Sequence, residues 1–175
     1  MRRERLTGWT LAVILFAFTA VRAFGEGGGG EEAWRLFRGQ VLFSDVLFAP
    51  SAEFPSAAAR VASLRRSERS AIEGPSGFWR IHCVAFLDPV PTAGALILRA
   101  TDVTDPKQRR EVRVFEMSTA AGSKELPIDD FVLTDAMGFE RGHRYEVTLE
   151  RGGDEPGTAA TGKRDVYAKG VVTLR

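Results

Sequence analysis

From residue 39 to the C-terminus the chain alternates short runs of β-branched, aromatic and aliphatic residues with Gly, Pro and Asp turns. This period-two pattern predicts half-buried strands rather than helices. Seven runs carry it: residues 40–48, 78–87, 95–103, 110–117, 127–133, 144–150 and 165–174. In the second, Trp79, Ile81, Cys83, Ala85 and Leu87 make a wholly apolar face that should point inward. Phe78, Arg80, His82, Val84 and Phe86 make a mixed face, expected to be partly wet. In the fourth run, Val112, Val114 and Glu116 alternate with Arg113, Phe115 and Met117.

One segment breaks the pattern. In residues 56–72, Ala57, Val61, Leu64, Ala71 and Ile72 recur at roughly helical spacing, Ser56 offers a cap, and Gly74-Pro75 stops the element. A helix is expected here, lying against a sheet edge and shielding it from edge-to-edge association. Residues 33–38 read as a helical turn or irregular lead-in whose Trp34 and Phe37 dock on the body.

The N-terminus is a different kind of segment. Arg2, Arg3 and Arg5 precede an apolar run at residues 9–20, shorter than the about 20 residues a membrane-spanning helix needs and suited to the core of an export signal. Val21-Arg22-Ala23 supplies small residues for cleavage. The expected organisation is a signal peptide at 1–23, a Gly-rich tether and lead-in at 24–38 containing four glycines at 27–30, and a β domain at 39–175. Retained, the first segment would instead anchor the chain in a membrane.

Removing residues 1–23 leaves 20 basic against 22 acidic side chains, a net charge of −2. That near balance argues against a general nucleic-acid binder, which needs a concentrated basic stripe. The remaining length suits one core burying about 70% of the extended chain's surface. Cys83 is the single cysteine, so no intramolecular disulfide forms, and its apolar setting predicts a buried thiol. With no cysteine after the apolar run to carry a lipid, a soluble periplasmic or secreted form is expected.

Residues 138–149 (GFERGHRYEVTL) place Tyr145 after a Gly-containing turn and before alternating Val and Leu. This stretch resembles the start of the sixth strand of immunoglobulin-like and fibronectin type III-like sandwiches. In those folds the tyrosine hydroxyl bonds back to the backbone a few residues upstream. The resemblance implies that Tyr145 is a structural corner, that Phe131 and Leu133 lie on the preceding strand, and that the last strand pairs with the sixth through the loop 152–163. The fold class it implies is all-β: an antiparallel two-sheet, Ig-like sandwich with one helical insert after the first strand. The paired cysteines of antibody domains are absent, and the insert departs from the compact pattern. Such sandwiches host many functions, so no activity follows from the resemblance.

Candidate chemistry is sparse. His82 and His143 are the only imidazoles; without an HExxH spacing or a Cys partner they do not suggest zinc, and structural roles are expected. Gly74-Pro75-Ser76-Gly77 lacks the nucleophile-elbow spacing, with Phe78 where the second glycine belongs. Asp102, Asp105, Asp129, Asp130 and Asp135 fall in loops where calcium could gather, yet no twelve-residue ligand loop is present. Arg60, Arg65, Arg66 and Arg69 could form a cationic helix face for an acidic partner, anionic headgroups or an envelope polymer, and Trp34 an aromatic surface. The sequence thus points to no catalytic residue, metal or cofactor. It suggests a non-catalytic exported module at the bacterial cell envelope that binds an unknown protein or polymer, not nucleic acid. A carbohydrate-binding module using Trp34 is the first alternative and a hydrolase with dispersed carboxylates the second.

Overall fold

A computed structural model describes residues 28–92, 94–151 and 165–175. The expected signal peptide, residues 24–27 of the tether and the loop 152–163 lie outside the described residues. All seven predicted strands form, the first over only residues 40–44 of the expected 40–48, as β1 (Gln40–Ser44), β3 (Phe78–Phe86), β4 (Gly94–Asp102), β5 (Arg110–Thr119), β6 (Glu125–Thr134), β7 (Arg144–Glu150) and β8 (Val166–Leu174). An eighth, β2 (Ala71–Ile72), is too short to show a period.

They make one eight-stranded sheet in the order β5-β4-β7-β8-β1-β3-β6, with β2 added to β8. The sheet curls until it is nearly barrel-shaped. Neighbours are antiparallel except where β1 and β2 run parallel to β8, through the pairs Gln40↔Lys169, Ala71↔Thr173 and Ile72↔Leu174. The two end strands meet across the interior, where Phe115 of β5 packs edge-on against Phe131 of β6 with ring centroids 4.9 Å apart.

The predicted inward face of β3 is buried throughout, with Trp79, Ile81, Cys83, Ala85 and Leu87 facing Leu96 and Leu98 of β4, Val147 and Leu149 of β7, and Val172 of β8. Each large aliphatic side chain removed from water there contributes about 1.5–3 kcal/mol, an upper bound given a compact unfolded chain. On β5 the phase departs from the expectation. Ala100↔Arg113 is followed by Thr101↔Glu111, so Val112 is an extra residue in a bulge. Val112, Phe115 and Met117 pack on the core, whereas Val114 is exposed.

The helices also differ from expectation. α1 (Gly28–Phe37) begins inside the glycine run, so Gly28 to Gly30 belong to a helix rather than to a tether. α2 (Ala57–Ser67) ends before residue 72, and Ser56 caps it by accepting the Ala59 N–H at 3.2 Å. Neither helix merely covers a sheet edge. Ala33 and Phe37 of α1 and Val61 and Leu64 of α2 form a second apolar cluster with Leu42 of β1 and Val84 and Phe86 of β3. The face of β3 expected to be partly wet is therefore dry along its second half. Among the described residues, no helix is long and apolar enough to cross a membrane.

Candidate functional site

An open depression of about 500 Å³ lies where the β4–β5 turn meets the corner between β6 and β7; Asp102, Thr104, Arg109, Arg110, Glu140 and His143 line much of it. The ladder of β4 and β7 sets Asp102 opposite Tyr145, which brings His143, two residues before Tyr145, to the Asp102 carboxylate. His143 Nδ1 lies 2.7 Å from Asp102 Oδ2, so the ring donates there, and the Thr104 N–H donates to Asp102 Oδ1 at 3.0 Å. Burial works against ionisation of Asp102, but these hydrogen bonds outweigh it and hold the carboxyl below its ordinary range.

Around this pair most charges are answered within the chain. Arg110 reaches Glu140 at 3.0 Å and Asp102 at 3.6 Å, and Glu140 approaches His143 Nε2 at 3.6 Å. Arg109 pairs with Glu146, and Asp105 accepts the Lys107 N–H at 2.9 Å. The Thr104 hydroxyl, the one hydroxyl lining the depression, accepts the Arg144 N–H at 2.8 Å. An oriented Asp–His pair is what a general base requires, yet no serine or cysteine lines the depression. Beneath it Tyr145 is fully buried. Its hydroxyl oxygen accepts the Glu140 N–H at 2.7 Å, the backward bond expected of a corner. Burial pushes the phenol up to about 12, so it stays neutral.

The four arginines expected on one helix face divide. Arg60 is turned inward, 3% exposed, with both terminal nitrogens on the Glu125 carboxylate, the Nη1 bond measuring 2.7 Å; it is not part of a partner surface. Its neighbour Val61 lies on the same buried stripe as Leu64, and the guanidinium reaches under α1 to the start of β6. Arg65 and Arg66 lie exposed in the last turn of α2. Arg69, past the helix end, pairs with Asp45 at 3.4 Å and donates to the Arg66 carbonyl at 2.8 Å. Trp34 is half-buried; its indole N–H donates to the Leu87 carbonyl at 2.8 Å, and Lys124 Nζ sits 5.1 Å from its ring centroid. The ring docks α1 on the sheet.

The other residues singled out by sequence are structural in their surroundings. His82, expected on a wetter face, is buried, and its Nδ1 accepts the Asp130 N–H at 3.4 Å where Asp129 and Asp130 bulge opposite it. Burial raises the Cys83 thiol far above its ordinary range, with the nearby Asp129 adding to the effect. Ser76 is exposed in the turn closed by the Phe78 N–H on the Pro75 carbonyl. The five aspartates do not converge, and among the described residues no group of three His, Cys, Asp or Glu side chains is placed to hold a metal. Sequence reading missed the Asp102–His143 pair because 41 residues separate them. The available signal was that Asp102 closes one strand and His143 precedes another, so that antiparallel pairing of the two would bring them together. No protein-family model matches the chain, and no curated protein matches it.

Proposed function

We propose that the chain is an exported, non-catalytic binding module at the bacterial cell envelope, built as an Ig-like sandwich. In this reading β5-β4-β7-β8 form one layer and β1-β3-β6 the other, and the sheet turns over at the single Gln40↔Lys169 bridge. The observation that carries the architectural part is the strand order combined with the Tyr145 corner bond. Non-catalytic action is supported by the internally paired charges at Asp102, Arg109, Arg110 and Glu140, which leave the depression organised around its own contacts.

Binding is assigned to the open edge of β5. After the Val112 bulge, residues 113–119 run without a proline or a further register shift, they pair only with β4, and Val114 stands 38% exposed. Such an edge accepts an extended segment through backbone hydrogen bonds. The opposite edge is poorly suited to this: β6 carries Pro127 and the bulge at Asp130, whose φ is +53°. The carbohydrate-binding alternative loses support because Trp34 is committed to the Leu87 carbonyl and to Lys124.

The test is a photo-crosslinking residue at Val114 in the full chain expressed in a double-membraned bacterium. Discrete adducts from the periplasmic fraction are expected, and the intact mass of the recovered protein should correspond to residues 24–175. Retention in the cytoplasm, or a Val114 probe that gives no adduct, overturns the reading.

A further inference from the structure

We infer that the loop after β1, together with the last turn of α2, is a docking surface for an anionic lipid membrane. Val46 and Leu47 are the two most exposed of the large apolar side chains among the described residues, at 52% and 60%. They are adjacent in sequence and held out by pinned flanks. On one side, Ser44 is fully buried and its hydroxyl accepts the Val46 N–H at 3.0 Å. On the other, Phe48 packs into the cluster beneath the helices. Two adjacent aliphatic side chains fixed in water on a braced loop gain free energy by entering an apolar phase.

The charges beside them identify the receiver. α2 runs along β1 from the Glu125 end, where Arg60 pairs, to the far end, where the Arg69 N–H donates to the Phe43 carbonyl at 2.7 Å and its guanidinium meets Asp45. The last turn of the helix is therefore at the same end of the molecule as Val46 and Leu47. Arg65 and Arg66 stand exposed there, and neither side chain forms a hydrogen bond or ion pair among the described residues. Asp45 is answered by Arg69, leaving Glu68 as the one acidic group in this turn against two unanswered arginines. Complementing the helix dipole explains a basic residue in a last turn but not the paired aliphatic residues alongside. Apolar side chains that enter the acyl boundary and arginines that reach phosphate headgroups form the combination an anionic interface selects. This surface is separate from the β5 edge, and its fate does not depend on that reading.

Residues 9–20 are themselves apolar, so the decisive signal must come from the loop rather than from sedimentation of the whole chain. An environment-sensitive dye is attached through Val46→Cys in the full chain; Cys83 is buried and stays unlabelled in the folded protein. A blue shift is expected on phosphatidylcholine–phosphatidylglycerol vesicles, with none on pure phosphatidylcholine and screening at about 1 M salt. Arg65→Glu with Arg66→Glu should weaken the partition at least about five-fold, the factor one basic residue near an anionic surface contributes, and Leu47→Ser should weaken it independently. The inference fails if the emission is unmoved by the anionic vesicles, if pure phosphatidylcholine or polyglutamate shifts it equally, or if the double arginine variant shifts as the parent does.

Discussion

The hydroxyl oxygen of Tyr145 accepts the backbone N–H of Glu140 at 2.7 Å, so the corner between β6 and β7 is closed by the side chain that begins the next strand's buried face. Phe139 packs edge-on against the same ring with centroids 5.0 Å apart, and the His143 ring lies nearly parallel at 6.4 Å. The tyrosine thus joins the main core to the polar cluster around Asp102.

Tyr145→Phe keeps the buried ring and removes only the acceptor. It should cost about 1–2 kcal/mol, the range for a buried N–H left without its partner, read as a lower urea midpoint with an unchanged slope. Because burial raises the phenol, its contribution holds below the ordinary tyrosine value near pH 10 and is lost as pH rises through about 12. Alkaline unfolding should therefore be steeper for the parent than for the variant. Equal midpoints would show that the corner does not depend on this bond.

Asp102 predicts the acid limb. Its folded carboxyl lies below its ordinary range, so its contribution is fully present above about pH 4, the unfolded value, and disappears as pH falls through the lower folded value. Asp102→Asn should lower the melting temperature at pH 7 and flatten its decline toward pH 2. A decline parallel to that of the parent would place acid sensitivity elsewhere.

Period two made most of the sheet legible, and the reason is visible in β3: Trp79 through Leu87 face one continuous core, so each inward position is apolar in the sequence. β5 misled because its bulge at Val112 shifts the phase, and a bulge leaves no mark in an alternation of Val and Arg. α1 was read short because Gly28 to Gly30 have poor intrinsic helix propensity; packing of Ala33, Trp34 and Phe37 on the sheet supports that helix. Arg60 was indistinguishable from Arg65 by residue type. Only the position of Glu125, 65 residues on, turns it inward. The Asp102–His143 cluster depends on strand pairing and so could not be read from either residue alone.

Arg60 and Glu125 offer a third test. The pair is buried between α1, α2 and the start of β6, and the Nε atom of Arg60 has no hydrogen-bond partner among the described residues. Removing one member strands the other's charge, so Arg60→Ala should cost about 3–5 kcal/mol, with Glu125→Ala similar. Replacing both, with Arg60→Met and Glu125→Leu, should recover most of that loss, because the guanidinium is already incompletely satisfied. Additive losses in the double variant, measured by urea unfolding, would contradict a coupled buried pair.

The junction of β1 with β8 rests on a glycine. At Gly170 of β8 an added Cβ would overlap the Val41 carbonyl oxygen and approach a Phe43 ring carbon at 2.7 Å, so the near-contact of β1 with β8 exists only because no side chain stands there. The obstruction is backbone, which cannot swing aside as a flexible side chain could. Gly170→Ala must therefore push β1 away from β8 and loosen the Gln40↔Lys169 bridge. The expected cost is about 2 kcal/mol or more, with faster hydrogen exchange at the Lys169 N–H, which donates to the Gly39 carbonyl at 3.0 Å. Val171→Ala, at the neighbouring and exposed position, should cost well under half as much. If both variants unfold alike, β1 and β8 are not held at this separation by the absence of a side chain at Gly170.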